Sequence, residues 1–151
     1  MTASICISLK PAAPTIDELI AAIQRCLTHK MLKPCFREGN KTNPLFGHCY
    51  HSAEALYHLI RRLDLPSAYH AYKPCRGVDA NGIAHWWLQN GLGDILDPTA
   101  DQYSSKGVPP PYASGRIRPF LTKPPSRKAM ELISTVAGAP EPSANFKTKP
   151  K

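Results

Sequence analysis

Cys49, His85 and Asp97 are the residues whose types, order and surroundings could do chemistry together. Asn43-Pro44 and Gly47 break any preceding helix, and from about Cys49 onward Ala53, Leu56, Ile60 and Leu63 recur at helical spacing with Leu59 beside them. That spacing predicts a helix headed by Cys49. A thiol in a first helical turn meets unpaired backbone N–H groups and the positive end of the helix dipole, which favour a negative sulfur and could also hold an oxyanion. A free cysteine often packs simply as a small apolar residue, so the helix alone decides nothing. The second stretch, Gly82 to Thr99, shifts the balance: it reads as two short strands around a Gly-rich turn, with His85 on the first strand and Asp97 closing the second. A helix-heading cysteine, then a histidine and an acid on successive antiparallel strands, supply a nucleophile, its base and the group that orients the base.

Gly47-His48-Cys49-Tyr50, His85-Trp86-Trp87 and Leu96-Asp97-Pro98-Thr99 resemble the papain-like thiol enzymes, and most closely their transglutaminase-like branch. The resemblance covers roughly the middle third of the chain. It implies an α+β core with the nucleophile helix packed on a small antiparallel sheet. It also implies a cysteine-dependent hydrolase or acyltransferase, acting on an amide, isopeptide or ester of a protein, peptide or small molecule through a thioester, without a cofactor. The chain is similar as well to small uncharacterised bacterial and phage proteins that carry a segment like Phe120-Leu-Thr-Lys-Pro-Pro-Ser-Arg-Lys-Ala129. It departs from the family in being short and in lacking an obvious glutamine before Cys49 to serve as an oxyanion donor. The Cys49 N–H, with Asn43 or His48 as a second donor, takes that place in the reading. Trp86 and Trp87 should point to opposite faces of their strand, one into the core and the other onto a cleft wall.

The chain opens with an alternating Ile5, Ile7, Leu9, which reads as an edge strand. Thr15-Ile-Asp-Glu18 offers a capping box for a helix over about 16–29, with Ile16, Leu19, Ile20, Ile23 and Leu27 on one face. Residues 30–46 read as a long surface connection, and Ala68 to Tyr72 as a strand followed by a turn from Pro74 to Gly82. Beyond Thr99, Gly107-Val-Pro-Pro-Pro-Tyr112 is an extended connection that could cover the cleft, Gly115 to Leu121 a short returning strand, and Ser126 the cap of a last helix ended by Gly138. The pattern predicts one α+β domain over 1–138 and a disordered, Pro- and Lys-rich tail over 139–151.

A chain of 151 residues suits one domain with a modest core. Its formal charge of +8 favours acidic partners, with Arg116, Arg118, Lys123, Arg127 and Lys128 as a basic patch. The rival to an enzyme is therefore a non-catalytic basic module binding nucleic acid or an acidic protein. The five cysteines form no CxxC pair, no stretch is long enough to span a bilayer, and no leader is visible, so the expectation is a cytoplasmic chain of free thiols. His48, Cys49 and His51 come nearest to zinc-ligand spacing, with Cys35, Cys75 or His85 as further candidates. Their divergent directions from a helix start argue against a metal site. Asp94 and Asp101 compete with Asp97, and His48, His51 and His70 with His85, for the roles of orienting acid and base.

Overall fold

Thr15 starts the first helix for a local reason: its hydroxyl accepts from the Glu18 N–H at 3.1 Å, the Thr15 half of the expected box. A computed structural model describes residues 13–138. The expected strand at Ile5, Ile7 and Leu9 and the expected tail over 139–151 lie outside the described residues. Helix α1 spans Ile16–Cys26 and ends earlier than expected because the backbone becomes extended at Leu27. The connection expected over 30–46 contains a short helix, α2, Pro34–Asn40. Pro34 begins this helix instead of breaking one, since the N–H that proline lacks has no intrahelical partner at a first position.

Helix α3, Cys49–Arg62, is the element about which the others gather. Its Ala53, Leu56, Leu59 and Ile60 are fully buried, and each large aliphatic so removed from water contributes about 1.5–3 kcal/mol before entropy is charged against it. They pack with Leu19 and Ile23 of α1, with Trp86 and Leu88, and with Leu132 and Ile133 of the last helix, α4, Arg127–Ala137. The helix stops where Asp64 takes a positive φ of 54°, with Leu65-Pro66 next. Ser126 caps α4 by accepting from Ala129 N–H at 3.3 Å, and Gly138 leaves it at φ 83°, both as the sequence predicts.

Four strands form one antiparallel sheet in the order β3-β2-β1-β4. They are β1 Lys73–Val78, β2 Ala84–Gln89, β3 Ile95–Leu96 and β4 Arg116–Ile117. The chain is thus α+β, with four α-helices and a small antiparallel sheet among the described residues. Two expectations are corrected. Ser67–Ala71 is a 3-10 turn, not a strand, and Lys73–Val78, expected as part of a turn, is the second strand from one edge. Pro74 misleads because a proline interrupts a ladder only where its N–H is required. Its carbonyl accepts from Arg118 N–H, so its nitrogen faces the same, sparsely paired β4 side and the longer pairing with β2 is undisturbed.

Trp86 and Leu88 belong to the cluster around α3, so the alternation of a strand turns His85 and Trp87 to the other face. There Trp87 lies between two glycines. A Cβ at Gly115 would overlap its ring, and one at Gly77 would stand 2.7 Å from Pro111 O and 3.0 Å from Trp87. These close approaches seat the segment around Tyr112 against the sheet. The extended Gly107 to Pro111 connection therefore lies on the His85 face and does not line the cleft above Cys49.

Candidate active site

The chain reaches Cys49 through a connection tied down by one buried side chain. Asn40 donates from Nδ2 to Pro44 O at 2.9 Å and Phe46 O at 3.0 Å, and its Oδ1 lies 3.1 Å from His29 Nδ1. Gly47 follows with φ 87°, and a Cβ there would stand 2.9 Å from Leu32 and Phe36 side-chain atoms. Glycine alone suits both conditions. Helix α3 then begins with no side-chain cap at His48, and its first hydrogen bond runs from Ser52 N–H to His48 O at 3.1 Å. Among the described residues, the N–H groups of Cys49, Tyr50 and His51 find no backbone acceptor, which leaves an electropositive end at the sulfur.

The Cys49 thiol is directed toward Ala84 O, 3.9 Å away, the residue before His85, and its sulfur is near enough to the His85 imidazole to raise that ring's basicity. His85 Nε2 lies 2.6 Å from Asp97 Oδ2, with both side chains almost wholly buried. Burial disfavours the charged imidazole, but the Asp97 carboxylate and the Cys49 sulfur outweigh it and raise His85 to about 9. Of the three residues that the sequence singles out, His85 and Asp97 are in direct contact, and Cys49 Sγ approaches the strand at Ala84, next to His85. Asp97 is also the turn-former that its Asp-Pro-Thr context suggests: its Oδ1 accepts from Thr99 N–H at 3.0 Å and Thr99 Oγ1 at 3.3 Å.

Donors and acceptors around the ring fix its tautomer. A carboxylate only accepts, so the Thr99 hydroxyl spends its proton on Asp97 and must accept from Gln102 Nε2, 3.1 Å away. The amide of Gln102 is thereby oriented, and its second N–H points at His85 Nδ1, also 3.1 Å away. In the neutral ring Nδ1 is the acceptor and Nε2 carries the proton to Asp97. Tyr112 OH donates to Asp97 Oδ2 at 2.7 Å, Tyr103 meets the imidazole edge-on and Trp87 stacks on it. Tyr103 is anchored in turn by donating to Asp79 Oδ2 at 2.8 Å, which Lys106 Nζ also reaches at 3.2 Å. Burial would raise the Asp79 carboxyl, yet donors from Ile83, Tyr103, Lys106 and Asn81 hold it below the usual range.

Sequence reasoning missed Gln102, Tyr112, Tyr103 and Asp79. A partial signal for Gln102 exists: it stands three residues after Thr99 in the 3-10 turn Ala100–Tyr103, and such a turn puts residues i and i+3 on one side.

Other expectations are redistributed. His48 Nδ1 and His51 Nε2 lie 2.7 Å apart in a buried pair. Burial first, then nearby positive charge, lowers them to about 4 and about 3. Near neutral pH both are uncharged and bonded to each other, so neither supplies an imidazolium beside Cys49. His48 is buried, its Nδ1 is engaged with His51, and it does not line the cleft at Cys49. Asn43 donates to Gln102 O at 2.7 Å, so it fastens the support of the base and offers the cleft nothing. His70 belongs to the Ser67–Ala71 turn. Asp94 is held in the β2–β3 turn, where its N–H and Oδ2 engage Asn90, and Asp101 is exposed. Among the described residues, no three of His, Cys, Asp or Glu gather to hold a metal ion, and no helix is long and apolar enough to cross a membrane.

A cleft of about 470 Å³ opens at Cys49. Phe36, Phe46, Tyr50, Ile83 and Trp86 give it apolar walls, Gln102 lines it near the base, and Lys33, Arg127 and Lys128 stand around it. Trp86 both walls the cleft and packs in the core, whereas Trp87 supports His85 from the other face. The expected basic patch is not one surface: Arg127 and Lys128 line this cleft, Arg116 and Arg118 line a separate depression with Arg76, and Lys123 lines neither. Compared with protein-family models, curated proteins and solved structures, the chain matches none.

Proposed function

We propose that this protein is a thiol enzyme of the papain-like or transglutaminase-like kind, a hydrolase or acyltransferase in which Cys49 is the nucleophile, His85 the base and Asp97 the orienting acid. The observation that carries the reading is the 2.6 Å contact of His85 Nε2 with Asp97, with the Cys49 thiol directed at Ala84 O, the residue before His85, under an uncapped helix N-terminus. In the reaction, Nδ1 of the neutral ring takes the thiol proton as sulfur attacks the carbonyl carbon of an amide or ester. The carbonyl π electrons move to oxygen, and the Cys49 N–H is positioned to hold that oxyanion. Once Nδ1 is protonated, the Gln102 N–H directed at it has lost its acceptor and is free to serve the same oxyanion. Collapse expels the amine or alcohol, which takes the proton back from His85, and leaves a thioester on Cys49. Water or an amine then attacks the thioester with His85 again as base.

The test is labelling of the purified protein by iodoacetamide and by a carbonyl-derived thiol probe, mapped to residue, beside ester turnover by the Cys49→Ala chain. Cys49 should react ahead of Cys26, Cys35 and Cys75, and Cys49→Ala should abolish turnover while folding normally, because alanine suits a helix. Preferential labelling of another cysteine, or full biological activity of the alanine variant, would reject the enzyme and favour the basic binding module.

A further inference from the structure

The cleft at Cys49 has a chemical asymmetry that catalysis does not use. Its walls are aromatic and aliphatic, its polar rim carries Lys33, Arg127 and Lys128, and no carboxylate lines it. Among the described residues none of these three cations has an ion-pair partner: the ion pairs are Lys41 with Glu38, His85 with Asp97 and Lys106 with Asp79. Lys128 is the telling one. It is partly buried and close enough to His48 and His51 to depress their basicity further, so two neutral rings stand where a carboxylate would relieve it. Glu54 is fully buried and receives the Ser126 N–H at 3.0 Å, and Glu131, one turn along the same helix, forms no ion pair with Arg127 or Lys128 among the described residues. A cation that is partly desolvated and unpaired gains from an anion delivered to it, and more than one on a bare surface would.

Resting on the thiol-enzyme reading, we propose that the substrate is an acyl compound with an apolar body and an anionic group, a carboxylate or a phosphate, that pairs with Lys128 and Arg127. The cleft volume of about 470 Å³ suits a compact body of this kind, within the ~300–1,000 Å³ usual for small-molecule sites. The start of α4 adds to the same field, since Arg127 and Lys128 are its first residues and their N–H groups precede any intrahelical acceptor. Phe36, Phe46 and Trp86 take the apolar part, which places the anion at the α4 side of the cleft.

Two alkylating probes of equal length separate this inference from the reading beneath it: N-hexyl iodoacetamide, which is neutral, and 6-(iodoacetamido)hexanoate, which ends in a carboxylate. At low salt Cys49 should react roughly tenfold faster with the carboxylate probe, the size expected of one or two partly screened charge pairs, and 0.5 M salt should close most of the gap. Glutathione gives the intrinsic ratio of the two probes. The Arg127→Gln, Lys128→Gln chain should bring the Cys49 ratio down to that of glutathione, and Arg127→Glu, Lys128→Glu should invert it, with circular dichroism confirming that each chain is folded. Equal rates in the unaltered protein, or a preference that survives the charge reversal, would overturn the anionic substrate and leave the nucleophile standing. A folded protein in which Cys49 is inert to both probes would overturn the enzyme and this inference with it. A 6-(iodoacetamido)hexyl phosphate arm ranks phosphate against carboxylate.

Discussion

Asp97→Asn is the substitution from which the structure draws the most. The side chain keeps its shape, and its oxygen must stay on the Oδ1 side, where Thr99 N–H donates at 3.0 Å. The new NH2 then replaces Oδ2, facing His85 Nε2 and Tyr112 OH. It makes Nε2 an acceptor and moves the imidazole proton to Nδ1, which faces the Gln102 N–H and can no longer take the thiol proton. Two losses combine. Raising His85 from 6.5 to about 9 corresponds to roughly 3 kcal/mol of imidazolium stabilisation, at ~1.4 kcal/mol for each tenfold. Losing the Asp97 carboxylate weakens the base, at a cost on the order of 10² in rate for general-base catalysis. The inverted tautomer adds a further factor, so kcat/KM should fall ~10³–10⁴-fold, in the range seen when a triad acid elsewhere is made an amide.

The same substitution has a signature in stability. Because the folded pKa of His85 is raised, its contribution is fully present below 6.5 and is lost as pH rises through about 9. The Asp97→Asn chain should therefore lack this alkaline decline. The assays are ester turnover against pH and urea midpoints at pH 6 and pH 9.5. A variant within about threefold of the parent in kcat/KM, with the parent's alkaline stability slope, would refute both the tautomer argument and the role of Asp97 as orienter.

Gln102→Leu separates two tasks: ester turnover should fall ~10²-fold from the loss of an oxyanion donor, whereas alkylation of Cys49, which forms no oxyanion, should change little. Parallel loss of both would make Gln102 merely structural. The His48–His51 pair gives an acid limb. Its folded pKa values are lowered from 6.5 to about 4 and about 3, so below pH 6.5 the unfolded chain takes up protons that the folded one refuses, and stability falls as pH drops toward that range. The His48→Leu, His51→Leu chain should show a shallower decline in urea midpoint between pH 7 and pH 4, and an equal decline would remove the pair from the explanation.

Cys49, His85 and Asp97 were legible because each sits where a local pattern speaks: a helical stripe, a strand of alternating environment, a proline-closed strand end. Their supports were not, because Gln102, Tyr103 and Tyr112 lie in 3-10 turns with no periodicity, and what they touch depends on how the chain after β3 folds back over Trp87. The neutral state of His48 and His51 was equally hidden. Three-residue spacing at a helix start makes them neighbours, but burial, which settles their charge, comes from elements remote in sequence. Pro74 misled for a related reason, since whether a proline interrupts a strand depends on which neighbour its nitrogen faces.

The segment 97–103 carries Asp97 on Nε2, Thr99 and Gln102 fixing Nδ1, and Tyr103 on the ring edge, held at its start by the two-residue strand β3. Substitutions there remove one support at a time. An added or missing residue anywhere between Asp97 and Gln102 slips the whole set past the imidazole at once. In a comparison of natural variants of this chain, this is the loop whose length should be invariant even where its side chains drift, in contrast to the Asn90–Asp94 turn, whose Gly91 and Gly93 have open space around them.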